Sequence, residues 1–249
     1  YIYYSAYCIE VATMIPIIQL NDIMHRYDKD IVINNINLEL NKGEIVALIG
    51  PSGSGKSTIL NIIGGLLIPS SGECLLQGER INGKTGHVSF MPQTHSLMPW
   101  RTVIQNINLA TEIKANDSEN KSEHLLARAG FTSIKDRYHN ELSGGMKQRV
   151  SFLRALNTEH QLLLLDEPFS ALDEITRNDM QIWLRSLLLE SDKTVLMITH
   201  SIDEAIKMSN RILVLNQKPA TIVRSIDVNQ DLSVSQIAEL KAQIIQLLK

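Results

Sequence analysis

Gly50-Pro51-Ser52-Gly53-Ser54-Gly55-Lys56-Ser57-Thr58 is the stretch on which the reading of this chain turns. It fits G-x-x-x-x-G-K-[ST], and it lies between an apolar run, Glu44 to Ile49, and a helical pattern from about Lys56 to Leu66. A loop that wraps phosphates must turn its backbone N–H groups inward. Glycine permits the required dihedrals and leaves no side chain in the way. A helix placed directly after the loop aims unpaired N–H groups and the positive end of its dipole at the anion. In such a cradle Lys56 reaches the β- and γ-phosphates as a flexible point charge, and the Ser57 hydroxyl is a ligand for Mg2+. Gly50, Pro51, Ser52, Gly53, Ser54, Gly55, Lys56, Ser57 and Thr58 are therefore candidate nucleotide-binding residues.

Working outward, Ile17 to Leu20 and Ile31 to Leu40 alternate apolar and polar residues, as half-buried strands do. Asn41-Lys42-Gly43 turns the chain into Glu44 to Ile49, whose apolar character suits a strand buried on both faces. Pro69-Ser70-Ser71-Gly72 ends the helical unit, and short strands are expected around Cys74 to Gln77 and Gly86 to Met91. Thr102 to Ala110, Ser122 to Ala129 and Met146 to Leu156 then have helical spacing. Strand and helix alternate again afterwards. Strands are expected at Leu162 to Leu165, Val195 to Thr199 and Ile212 to Leu215, with helices at Glu174 to Leu189, near Ile202 to Met208, and from about Ser233. Such alternation on both sides of a helical block implies an α/β core with a parallel sheet and a helical insertion.

Composition sets the outer bounds. At 249 residues, with 44% hydrophobic and 20% charged residues, the chain has the make-up of a globular domain with a sizeable core. A formal charge of −3 argues against a broad basic surface for nucleic acid. The longest apolar stretch, Ile59 to Ile68, falls short of the roughly 20 residues a membrane span needs. Cys8 and Cys74 are far apart and outside any metal-ligand spacing, so they read as ordinary thiols of a reducing compartment. Residues 1–16 read as an extension. Met14 sits just before the first strand, so the expectation is that residues 1–13 derive from an expression vector.

Leu162-Leu163-Leu164-Leu165-Asp166-Glu167 is an apolar strand ending in two carboxylates. Ligands of open α/β sheets collect at the carboxyl ends of strands, which places Asp166 beside the phosphate loop. There Asp166 is a ligand for Mg2+ through the ion's water shell. Glu167, on the other side of the chain, is placed to polarise the water that attacks the γ-phosphate. Phosphoryl transfer needs positioning and charge neutralisation more than covalent chemistry, and these residue types supply both.

Shortly before that strand stands Leu142-Ser143-Gly144-Gly145-Met146-Lys147-Gln148-Arg149. With it the chain resembles the ATP-binding cassette (ABC) family, whose signature reads LSGGQ; the fifth position here is Met146. The resemblance covers roughly Ile17 to Ser225. It implies an α/β P-loop NTPase fold of the ABC ATPase type, with a mainly parallel sheet, an N-terminal antiparallel β subdomain and an inserted α-helical subdomain. In the family two cassettes pair head to tail, each signature capping the ATP held by the other's phosphate loop. Ser143, Gly144 and Gly145 would then face the γ-phosphate from a helix start. The resemblance also implies roles for residues that are weak signals alone. Tyr27 stacks on adenine. Gln93 touches Mg2+ and the attacking water and links the site to the membrane subunit. Ser170-Ala171-Leu172-Asp173 crosses the dimer interface, and His200 contacts the γ-phosphate and orients Glu167. On this reading the catalytic set is Glu167, His200 and Gln93, the metal set is Ser57, Gln93 and Asp166, and the cofactors are ATP and Mg2+.

Leu97-Met98-Pro99-Trp100-Arg101-Thr102-Val103 looks like the L-x-P-W-x-T-V of the nitrate, sulfonate, taurine and thiamine-precursor importer ATPases. The partners implied are a second copy of the ATPase subunit, integral membrane permease subunits and an extracytoplasmic solute-binding protein, with no nucleic acid. The place implied is the cytoplasmic face of the cell membrane, peripherally. The ATPase domain is expected over 17–226, its helical subdomain at about 94–158 and a C-terminal helical tail over 227–249. Along that tail Ile237, Leu240, Ile244, Ile245 and Leu248 form one apolar stripe, suited to packing on the chain's own core. Two other classes compete: a soluble ABC ATPase acting on nucleic acid or ribosomes, and an inactive nucleotide sensor. The first usually carries coiled-coil insertions or fused cassettes, which this chain lacks; intact Lys56, Asp166, Glu167 and His200 speak against the second.

Overall fold

A computed structural model describes residues 15–113, 119–229 and 231–248. The expectations for residues 1–13 and for Cys8 lie outside the described residues. β1 (Ile18–Tyr27), β2 (Asp30–Leu40), β4 (Ser71–Leu76) and β5 (Glu79–Arg80) form an antiparallel sheet in the order β2-β1-β4-β5. The second sheet contains β3 (Ile45–Ile49), β6 (Ser89–Met91), β7 (Leu162–Asp166), β8 (Thr194–Ile198), β9 (Arg211–Leu215) and β10 (Ile222–Asp227). Its order is β10-β9-β3-β8-β7-β6, parallel throughout except for β10 at the edge.

β3 shows why the sheet sits in the middle. All five of its residues are buried, and because side chains alternate along a strand they serve two cores. Val46 and Leu48 join a cluster with α1 (Lys56–Ile63) and the antiparallel sheet. Ile45, Ala47 and Ile49 join the other cluster, beneath the helical block. β7 divides in the same way, Leu162 and Leu164 to the first and Leu163 and Leu165 to the second. Four consecutive leucines are thus what a strand covered on both faces requires.

The helical block contains α2 (Val103–Ile113), α3 (Glu119–Arg128) and α4 (Gly144–Leu156), and α5 (Glu174–Leu189) follows β7. Phe152 of α4 is fully buried, its ring centroid 6.1 Å from Phe169 and 6.2 Å from Trp183. Ahead of α2, the loop that carries Trp100 is held from beneath by Asn106. Asn106, 1% exposed, accepts from Met98 N at 2.8 Å and donates to the carbonyls of Met98, Arg101 and Thr102. Asn106→Ala leaves these groups without partners. It is expected to cost about 2 kcal/mol, read as a fall in Tm of roughly 4–8 °C.

The last elements are α6 (Ile202–Met208) and α7 (Val234–Leu247). Ser233 caps α7 reciprocally with Gln236. Of the apolar stripe, Ile244 is fully buried and Ile237, Leu240 and Leu248 pack against the core, whereas Ile245 turns outward at 46% exposure. The alternating pattern predicts a first strand that ends at Leu20, whereas β1 runs on to Tyr27 across irregular registers. The expected strand from Gly86 shrinks to Ser89–Met91, and α1 stops at Ile63, ahead of Gly65 at φ 71°.

Candidate active site

Three strand ends and one loop converge on the same place. β3 runs into the Gly50–Thr58 loop, which turns with Gly53 at φ 73° and Gly55 at φ 91° before α1 begins. A side chain at position 55 would collide with β2, since a Cβ there would lie 2.7 Å from Ile33 Cγ2 and 3.0 Å from Val32 Cγ1. Lys56 folds back into the loop, where Nζ donates to the Gly50 and Pro51 carbonyls at 2.9 Å each. Burial lowers the pKa of its ammonium, and the nearby Glu167 and Asp166 carboxylates oppose that shift.

Asp166 ends β7. In the sheet β8 stands between β7 and β3, so Asp166 is not on the strand next to the phosphate loop. Its carboxyl nevertheless lies close to the Ser57 hydroxyl. Burial and the neighbouring Glu167 raise the Asp166 pKa, against the Ser57 hydroxyl and the Lys56 charge.

Glu167 leaves the strand in the left-handed region, at φ 46°, with its N–H bonded to Ile198 O of β8 at 3.0 Å. Such a conformation is costly for a residue with a side chain and collects at sites where direction matters. Gln93, two residues beyond β6, donates through Nε2 to Glu167 Oε2 at 2.9 Å. His200, two residues beyond β8, places Nδ1 3.5 Å from the same oxygen. Gln93, Glu167 and His200 come from three different strand ends and meet at one carboxylate oxygen.

A cavity of about 480 Å3 opens over the loop. Ser52 to Thr58 form its floor, Tyr27 and Val32 line it together with Lys218, and Glu167 and His200 belong to its lining as well. Tyr27 is 48% exposed at the end of β1, and the buried His25 packs edge-on behind its ring at 4.8 Å. Ser143, Gly144 and Gly145 are absent from this lining. They lie at the exposed start of α4, where Ser143 Oγ accepts from Met146 N at 3.3 Å.

Sequence reasoning missed three contributors. Lys218 comes from a loop with no motif around it. Val32 looked like any strand residue. The third is a tie between the turn of His200 and the Ser170–Asp173 segment. Glu204, 4% exposed, accepts from Thr199 Oγ1 and lies 3.7 Å from Arg177, whose Nη2 donates to Leu172 O at 2.8 Å. The signal that could have found it was an acid and a base near the starts of two helices that each follow an expected site segment.

Comparison with known proteins bears on the same arrangement. The ABC transporter family profile matches residues 33–170, more than half of the chain. The chain is 39% identical, over 85% of its length and 86% of the relative's, to the aliphatic sulfonates import ATP-binding protein SsuB of Bacillus thuringiensis subsp. konkukian (strain 97-27). It is 41% identical to the nitrate import ATP-binding protein NrtC of Synechococcus elongatus (strain ATCC 33912 / PCC 7942 / FACHB-805), over 79% of this chain but 30% of NrtC. Among solved structures it superposes with a TM-score of 0.74, at 30% identity over 85% of this chain and 99% of the other, on the ATP-binding cassette MJ0796, a dimer in a post-hydrolysis state bound to ADP and Pi. With a phosphate loop, a paired-carboxylate strand and a serine–glycine helix start all in place, the chain belongs to the ABC transporter family, as an ATP-binding cassette that hydrolyses ATP.

Proposed function

We propose that two copies of this chain close head to tail over two ATP molecules and drive an importer of the nitrate and sulfonate type. The observation that carries the dimer is Gly144. Its φ is not in the left-handed region, and a Cβ there would meet nothing within 4 Å. The chain's own packing therefore gives no reason for glycine, and an approaching phosphate does. Ser143 beside it is exposed and outside its own nucleotide cavity, as a group acting on a second copy must be.

Within one copy, the loop amides and Lys56 hold the phosphates. Ser57 and Asp166, a hydroxyl and a carboxylate close to one another beside the loop, fit a hard cation shared with the nucleotide. Mg2+, when bound, neutralises phosphate charge. Glu167 orients a water for attack, Gln93 and His200 hold that carboxylate, and Tyr27 receives the adenine. His200→Ala is expected to slow turnover about 100-fold with ATP affinity kept, measured by steady-state hydrolysis. Normal turnover in that variant would remove His200 from the site.

Among the described residues no helix is long and apolar enough to cross a membrane. Permease subunits would supply the spans, the cassette sitting peripherally at the cytoplasmic face, and a solute-binding protein would deliver the solute. Trp100, 70% exposed on the loop that Asn106 holds, offers an aromatic anchor for the permease. Residues 17–226 would form the ATPase domain, with α2 to α4 inside the helical subdomain at about 94–158, and 227–249 the tail. The test is co-expression with candidate permeases. A Trp100→Ala chain should co-purify at least tenfold less while still binding ATP, and equal recovery would move the docking surface elsewhere.

A further inference from the structure

The cations around the cavity are unevenly used. Lys56 is tied to two carbonyls and has Glu167 and Asp166 close by. Tyr27 and Val32, in the same lining, carry no charge. Lys218 lines the same cavity, is exposed, and has no hydrogen bond or ion pair among the described residues.

The backbone that carries Lys218 is held firmly. β9 ends at Leu215, which abuts the start of the phosphate loop: a Cβ on Gly50 would lie 2.9 Å from Leu215 Cβ. The following turn is closed by Asn216 N to Thr221 O at 3.2 Å and by Thr221 N to Asn216 Oδ1 at 2.7 Å. Two residues beyond Lys218, the fully buried Ala220 is clamped to β2. Its N–H donates to Val32 O at 2.9 Å, and its carbonyl accepts from Asn34 N at 2.9 Å. Val32 in turn lies against Gly55. Lys218 is thus suspended between the beginning of the phosphate loop and the strand that walls it, on a turn fixed at both ends. An unpaired ammonium kept there by the fold has a long stem and an open cavity to reach into.

We propose that Lys218 is a nucleotide-contacting residue whose ammonium meets the α-phosphate, at the nucleoside end of the cavity that Lys56 does not serve. The inference rests on the reading of this cavity as the ATP site. It adds to that reading a charge contact made within one subunit before any second copy closes. Because the group is exposed, its effect is moderate and screened by salt.

The experiment is equilibrium binding of ATP, ADP, AMP and adenosine to the whole chain and to Lys218→Ala, Lys218→Arg and Lys218→Glu, at 50 and 500 mM KCl. Lys218→Ala should weaken ATP, ADP and AMP by a common factor of about five at low salt, shrinking toward unity at high salt, and leave adenosine unchanged. Lys218→Glu should double or triple that loss, and Lys218→Arg should restore most of the affinity. Equal affinities in all four chains, a loss confined to ATP, or an equal loss for adenosine would each overturn the assignment. Lys56→Ala serves as the separate check on the cavity: if it binds ATP like the parent chain, the ATP-site reading fails, whatever Lys218 does.

Discussion

Glu167→Gln is expected to bind ATP as well as the parent chain and to hydrolyse it about 100- to 1,000-fold more slowly. The substitution keeps the shape of the side chain and its left-handed backbone, so Gln93 and His200 retain a partner oxygen. What disappears is the charge. A carboxylate 2.9 Å from Gln93 Nε2 and 3.5 Å from His200 Nδ1 can accept hydrogen-bond density from a water; an amide does so poorly. Binding should survive because the residues proposed to hold the phosphates, Ser52 to Thr58, are untouched. Removing one anion from beside Asp166 also removes a cause of that carboxyl's raised pKa, so Asp166 ionises more readily in the variant. Two measurements check the result together. Hydrolysis should be nearly abolished, and with ATP and Mg2+ the variant should elute as a dimer on gel filtration, since closure is no longer relieved by turnover. Hydrolysis within threefold of the parent chain would take Glu167 out of the reaction. A chain that stays monomeric with saturating ATP would weaken the head-to-tail arrangement.

How much of this was legible in the residues follows from where each signal comes from. The Gly50–Thr58 loop could be read because its function constrains backbone dihedrals, and only glycine meets that constraint at 53 and 55. The Leu162–Glu167 strand could be read because a sheet covered on both faces demands consecutive apolar residues. β10 could not be read. It is an edge strand whose residues, Arg224, Ser225 and Asp227 among them, are mostly exposed, so neither periodicity nor apolar content marks it. The position of Asp166 illustrates a different limit. Strand order in a parallel sheet is set by crossovers rather than by local pattern, so the insertion of β8 between β3 and β7 had no sequence signature. Lys218 and Glu204 escaped for a third reason. Lys218 owes its place to the backbone pairing of Ala220 with Val32, and Glu204 lies against Arg177; both pairings span more than twenty residues, and the order of residues along the chain does not show them.

Lys56→Ala tests the foundation of the site, and a loss of ATP affinity of at least 100-fold is expected. The parent side chain is costly to hold: burial disfavours its charge, and that penalty is offset by two carbonyls at 2.9 Å and by the Glu167 and Asp166 carboxylates. A group kept charged against burial at the floor of the Gly50–Thr58 loop has its best partner in an anion entering the loop. Charge-assisted hydrogen bonds are worth about 1.5–3 kcal/mol each, and losing one or two to the phosphates corresponds to the predicted factor. Fold stability should move little in the same variant. Removing a buried ammonium relieves desolvation, while the freed Gly50 and Pro51 carbonyls lose donors, and the two effects oppose each other. Lys56→Met, which keeps the stem without the charge, should lose affinity to nearly the same degree, separating charge from packing. Titration of both variants with ATP, ADP and AMP supplies the decisive pattern. With Lys56 on the β- and γ-phosphates, as proposed, the loss should be largest for ATP, smaller for ADP and slight for AMP. An unchanged affinity for ATP, in a variant whose thermal unfolding matches the parent chain, would mean that the Gly50–Thr58 loop does not hold the nucleotide.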